Sequence, residues 1–259
     1  MSVWAVFGIG AATASALMLA LWLVQVRIRD ATHVDVGWAY GIGLLALLAA
    51  ALGGGSAPHR VLVAVLVFVW SLRLGTYVLR RGVLRGHGED RRYPEMRARY
   101  GARANRNFLV FFQAQAAFVI AFSLPALLAS FNASPRLEPL EWAGAAVWAA
   151  GVLGEWTADR QLSRWKAEHP GLTARSGLWR YSRHPNYFFE WVTWIGLALV
   201  AAAAPWGVLA FLTPAFLLVL ILFVTGIPPS EAQALRSRGD DYRDYQRVTS
   251  AFVPWPPKR

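Results

Sequence analysis

Seven long apolar runs, separated by short or strongly basic connections, decide most of what this chain can become. They cover roughly residues 3–26, 36–55, 60–79, 107–131, 139–157, 186–203 and 206–226. A helix needs about 20 apolar residues to cross a bilayer. Inside lipid every backbone N–H and C=O must be satisfied within its own segment, so runs of this kind predict helices. The expected fold is all-α: one polytopic membrane domain over residues 1–259 with seven transmembrane helices. No positive region precedes the first run, which is too long for the apolar core of a signal peptide, so it reads as a retained helix. Ala204-Pro205-Trp206 is all that separates the last two runs, which predicts a tight helical hairpin.

Charge supports the same reading. Only 16% of residues are charged, against about 25% in an ordinary soluble domain. Connections 27–35, 80–106, 157–185 and 227–259 carry two, nine, six and six Lys or Arg, whereas 54–60 and 132–138 carry one each. Basic and non-basic connections alternate, so the N-terminus is expected outside and the C-terminus in the cytoplasm of a bacterial-type inner membrane. The net charge of +11 is thereby a membrane-surface property, and no nucleic-acid partner is expected. Membrane lipids are the expected surroundings, and the chain is taken as a monomer. With no cysteine, disulfides, thiolate zinc sites and a cysteine nucleophile are excluded. No glycine-rich phosphate loop and no metal-ligand spacing occurs, so no metal site is expected.

Residues capable of chemistry gather toward the cytoplasmic side. Arg73 lies inside the third run with Tyr77 one turn on, and Glu190 lies inside the sixth between Asn186 and Trp194, each four residues away. Glu155 and Asp159 end the fifth run, and Asp35 opens the second. A charge at the bilayer centre costs about 2.5–3.5 kcal/mol on insertion scales. Residues of this type from four helices point to a shared polar cavity, although interhelical hydrogen bonding alone would also retain them. Before the sixth run, Arg180, Arg183, His184 and Tyr187 flank a helix that Pro185 is placed to start. Free N–H groups and guanidinium forks make that start an anion site; a lipid-headgroup anchor is the alternative. Arg85-Gly-His-Gly-Glu-Asp-Arg-Arg-Tyr93 alternates acids and arginines, which either pair with one another or hold a polyanion. Residues 240–254 read as a short amphipathic interfacial segment.

The run Gly177-Leu-Trp-Arg-Tyr-Ser-Arg-His-Pro-Asn-Tyr-Phe-Phe-Glu-Trp-Val-Thr-Trp-Ile-Gly196 and the tail from Tyr242 to Lys258 resemble bacterial members of the steroid 5α-reductase superfamily. Asp35-Val-Gly-Trp38 and the Arg73, Tyr77, Arg81 spacing resemble it too. Isoprenylcysteine carboxyl methyltransferases share the Arg-His-Pro-x-Tyr element and a similar tail. The reductase resemblance implies NADPH held inside the helix bundle and reduction of the carbon–carbon double bond of a lipophilic, steroid-like enone. It implies cofactor contacts from Arg73, Tyr77, Asp159, Asn186, Glu190 and Trp194, with Lys166 and Arg175 near the phosphates. Arg183, His184 and Tyr187 complete the expected cofactor set as the anion site already described. Asp35 falls where eukaryotic relatives have their catalytic Glu, and is the expected acid. Its capping role at the start of the second helix is the alternative. Two departures stand out: Trp70 occupies the place of the relatives' catalytic Tyr, and Ser230-Glu231 that of a His. The alternative function is an S-adenosylmethionine-dependent membrane methyltransferase.

Overall fold

The computed structural model describes residues 1–84 and 89–258, and Arg81 only in its backbone. Among the described residues every regular element is helical. Four helical stretches are long and apolar enough to cross a membrane by length and composition: Val3–Ile28, His33–Leu52, Ala57–Leu84 and Gly207–Arg238. These mark a membrane protein. Contacts divide the chain, read from sequence as one domain, into two compact units.

The first unit comprises Met1–Glu141 and Val200–Ala210. Helix α1 (Val3–Ile28) starts at Ser2, whose hydroxyl accepts from Ala5 N at 3.2 Å, and stops at Arg29 in the left-handed region, φ 55°. Helix α2 (His33–Leu52) has Thr32 at its N-cap position, without a side-chain capping bond, so Asp35 sits inside the first turn and not at the cap. Helix α3 (Ala57–Val78) carries Pro58 in its first turn, where the missing N–H costs nothing. It loosens after Val78 into a π-helical turn, Leu79–Leu84. Helix α4 (Arg92–Tyr100) leads into α5 (Ala104–Phe122) and a short α6 (Leu124–Ala129). Helix α2 packs on α3 and α1, and α1 packs on α5. The stretch 107–131, expected as one helix, is therefore two. Pro125 offers no N–H and clashes with the preceding turn, while the Ser123 hydroxyl donates back to Val119 O at 2.7 Å.

The second unit comprises Trp142–Leu199 and Phe211–Arg259. Helix α7 (Pro139–Glu168) has 30 residues and overruns the expected 139–157, because Ala158 to Glu168 contains no Gly or Pro to stop it. Glu155 and Asp159 are mid-helix as a result. Helix α8 (Pro185–Ala202) begins at the proline, as expected. Glycines set its approach to α7: a Cβ on Gly151 would lie 2.4 Å from Thr193 Oγ1, and one on Gly196 would lie 2.4 Å from Trp148 N. Small residues at such a seam let two backbones come close. The seventh run is interrupted too. Helix α9 (Leu212–Val219) passes into a π-helical turn, Leu220–Val224, before Pro228 and Pro229 restart the chain as α10 (Ile227–Arg238). Helix α11 (Asp240–Val248) has the amphipathic face expected of it. That face does not lie open to lipid, however: Tyr242 and Tyr245 are 3% and 2% exposed and pack with Ala234 of α10.

Candidate functional site

In the second unit, the two sequence motifs that carry the resemblance form one interlocked object. The loop before α8 lies on α7 through Trp179 Nε1 to Ala158 O at 2.9 Å and Leu178 N to Gln161 Oε1 at 2.9 Å. The tail closes over the same loop. Arg183 N donates to Ser250 O at 2.8 Å, Trp255 N to Tyr181 O at 2.9 Å, and Ser182 Oγ to Phe252 O at 2.7 Å. The Tyr245 hydroxyl donates to Trp179 O and Ser182 O from the buried face of α11.

Glu231 is the charged hub of this object. Its Oε1 accepts from Arg183 Nε at 2.7 Å and lies 3.4 Å from His184 Nε2, while Oε2 accepts from Gln246 Nε2 at 2.8 Å. Arg183 is further used by the carbonyls of Gln246 and Thr249. The expected anion site thus has its guanidinium committed to an internal carboxylate, and Arg183 ties the tail to the start of α8. Tyr242 also leans on Glu231, at 3.4 Å. Burial, and then that carboxylate, push the Tyr242 phenol up to about 12, so it remains a donor. Arg175 makes a comparable bond to the tail, 2.6 Å to Asp241. Thr173 hydrogen bonding, with Arg175 beside it, holds the Asp241 carboxyl below the ordinary range.

One turn into α8 the character changes. Asn186 Nδ2 donates to Asp159 Oδ1 at 3.3 Å, joining α8 to α7. The Asn186 Oδ1 atom is buried with no hydrogen-bond partner among the described residues. A buried acceptor left in that state costs about 1–3 kcal/mol unless something supplies a donor. Tyr187 meets Ser230 at 3.0 Å and stacks on His184, centroids 5.4 Å apart. Glu190 is half-buried and Trp194 wholly buried on the same helix, so the 186, 190, 194 spacing places all three on one side of α8. Lys166 is exposed near the end of α7.

The first unit holds the remaining expected residues. Arg73 is half-buried on α3, Tyr77 is 55% exposed, and Trp70 is 1% exposed with its ring edge-on to Trp38 at 6.1 Å. Asp35 is held between two donors, Arg92 Nη2 at 2.7 Å and the Tyr93 hydroxyl at 2.9 Å. Its carboxylate accepts from both of them in this structure. Tyr93 is 1% exposed, and its phenol is pushed well up by burial and by Asp35. Sequence reasoning missed Tyr93. The two residues are far apart in sequence, and the only signal was a tyrosine closing an acid-and-arginine loop. That loop is fixed by mutual pairing: Glu89 accepts from Arg97 at 2.9 Å and from Ala31 N at 2.8 Å, and Asp90 accepts from Arg92 at 2.9 Å. Arg85, Gly86, His87 and Gly88 lie outside the described residues, as does the Arg81 side chain.

A family described as "Protein of unknown function (DUF1295)" matches residues 21–249. The chain belongs to the DUF1295 family. The match takes in Asp35, Tyr93, the α7–α8 seam and the Glu231 hub, and ends at Thr249, whose carbonyl Arg183 holds. No curated protein matches the chain. Among the described residues no group of three His, Cys, Asp or Glu is placed to hold a metal.

Proposed function

We propose that this DUF1295 protein is an NADPH-dependent membrane reductase that saturates the carbon–carbon double bond of lipophilic, steroid-like enones. In this reading it spans the inner membrane seven times, with the N-terminus outside and the loops 80–106 and 157–185 and the tail in the cytoplasm. The observation that carries the reading is Asn186. It is a half-buried amide fixed by Asp159 on one side, with its buried Oδ1 left as an unsatisfied acceptor on the other. A carboxamide such as that of nicotinamide offers the donor this oxygen lacks. Glu190 and Trp194 extend the same side of α8 with a carboxylate and a large ring. The residues therefore fit the cofactor, and Asn186, Asp159, Glu190 and Trp194 would hold it. Lys166 and Arg175 are the cations the resemblance sets near its phosphates; Arg175 would have to share itself with Asp241.

NADPH supplies a hydride when bound, and the chain's task is to place the acceptor and exclude water. Reduction of an enone leaves charge on its carbonyl oxygen, and a hydrogen-bond donor aimed there lowers the barrier. To serve as this donor, the Tyr93 hydroxyl, which donates to Asp35 in the structure, would turn from that carboxylate to the enone oxygen, leaving Asp35 held by Arg92. Trp70 carries no hydroxyl, so the relatives' arrangement is met from a different position.

The binding test uses purified protein in detergent. NADPH is expected to raise the melting temperature, and S-adenosylmethionine is not. Glu190→Ala is expected to lose the NADPH increment while staying folded, and Arg73→Ala tests the first unit's contribution in the same assay. Stabilisation by S-adenosylmethionine alone would replace the reductase with a methyltransferase.

A further inference from the structure

Seven arginines each meet a carboxylate within the protein: Arg91, Arg92, Arg97, Arg175, Arg183, Arg243 and Arg247. Arg160 and Arg164 do not, among the described residues. Both line an open cleft of about 490 Å3 beside the last turns of α7, together with Trp156, Gln161, Trp165 and Glu168. At about 100° per residue, Arg164 and Glu168 project from the side of α7 away from Asp159. None of the residues assigned to the cofactor lines this cleft, although Ser176, beside Arg175, does.

Its position along α7 bears on what it can hold. Leu153 and Trp156 are 62% and 49% exposed, the last large apolar residues the helix presents outward. Tryptophan marks the boundary between hydrocarbon and headgroups. At 1.5 Å per residue, Arg160 lies about 6 Å and Arg164 about 12 Å beyond Trp156, which is the depth of the phosphate layer. The Arg160 guanidinium lies 5.1 Å from the Trp156 ring centroid, so it is oriented before any ligand arrives. Trp165, stacked on His169 at 4.1 Å, lines the same cleft with an indole N–H that has no acceptor among the described residues. Glu168 lines the same cleft, so the two arginines and this carboxylate leave a net charge of +1, the counterpart of one phosphodiester.

We propose that this cleft binds the headgroup phosphate of an anionic phospholipid, held by Arg160 and Arg164 with Trp156 at the acyl boundary. The inference rests on α7 crossing the membrane, part of the reading above, but not on NADPH or on reduction.

The test uses the full chain in detergent micelles doped with phosphatidylglycerol or with phosphatidylcholine, read by native mass spectrometry of retained lipid and by melting temperature. Wild-type protein is expected to retain phosphatidylglycerol and to be stabilised by it, but not by phosphatidylcholine. One interfacial cation contributes roughly fivefold in lipid affinity, so Arg160→Gln with Arg164→Gln is expected to weaken phosphatidylglycerol binding about thirtyfold. If that pair does not fold, Arg164→Gln alone, an exposed side chain, is expected to show about fivefold. Unchanged phosphatidylglycerol retention in the variant would overturn the assignment. Equal stabilisation by inorganic phosphate would also overturn it, in favour of a free-phosphate site. Ser163→Cys, in a chain without native cysteine, checks the supporting topology separately. A membrane-impermeant maleimide should label it only from the cytoplasmic side, and labelling from the outside alone would refute the α7 orientation whatever the lipid result.

Discussion

Replacing Glu231 with alanine should loosen the whole tail, and the geometry sets how much. The change removes two charge-assisted hydrogen bonds, from Arg183 at 2.7 Å and from Gln246 at 2.8 Å. Each such bond contributes about 1.5–3 kcal/mol. Side chains only 10% and 16% exposed mean that water screens the Arg183–Glu231 pair weakly. Arg183 keeps the carbonyls of Gln246 and Thr249, so its charge is not left wholly uncompensated. A loss of about 3 kcal/mol follows. In a chain of this size each kcal/mol moves the melting temperature by about 2–4 °C, which predicts a drop of about 6–12 °C in detergent, followed by tryptophan fluorescence. Glu231→Gln retains an acceptor and should lose about half as much. Because the two side chains act on each other, Arg183→Ala with Glu231→Ala should cost less than the sum of the singles. A Glu231→Ala variant melting within about 2 °C of wild type, or strictly additive singles, would refute the hub.

Two further outcomes follow from the same unit, the first with a control on α1. Gly151→Ala puts a methyl 2.4 Å from Thr193 Oγ1 and 2.5 Å from its backbone N, so overpacking should cost about 1–3 kcal/mol and push Asn186 off Asp159. Gly8→Ala, where nothing lies within 4 Å, should be neutral or gain up to about 1 kcal/mol, and a stable Gly151→Ala would deny the close α7–α8 seam. Asp241 titrates below the ordinary carboxylate range in the folded chain, so its contribution is complete above the unfolded value near pH 4 and is lost as pH falls through the lowered folded value. Hydrogen exchange of residues 240–248 should stay protected from neutral pH down to about pH 4 and open below it. Asp241→Asn should flatten that dependence.

The sequence was most legible where one physical effect acts alone. Apolar run length located α1, α2 and α3 to within a few residues, and Pro185 marked the start of α8. It failed where a second effect interrupts the first. Pro125 divides a run that hydropathy reads as continuous, and the helix-forming residues after Ala158 carry α7 past the point where its apolar character ends. The Asn186, Glu190, Trp194 stripe was readable because four-residue spacing fixes a helix face. Charge placement pointed to a shared polar cavity but not to its bond with Asp159, and the glycines at the seam explain how the helices come close enough to make it. Partners distant in sequence left no periodic trace. Nothing in the spacing pairs Asp35 with Tyr93 or Arg183 with Glu231. Arg183 looked like a free cation beside a helix start because its carboxylate lies on another helix.

The reductase claim is tested most directly by following deuterium from NADPH carrying deuterium at both C4 positions of its nicotinamide into a steroid-like enone, with the purified protein and product analysis by mass spectrometry. The account predicts one deuterium at the β-carbon of the saturated product, and a rate lowered about a hundredfold or more in Tyr93→Phe with NADPH binding retained. Saturated product without deuterium, or no NADPH-dependent product from protein that transfers a methyl group from S-adenosylmethionine, would contradict it.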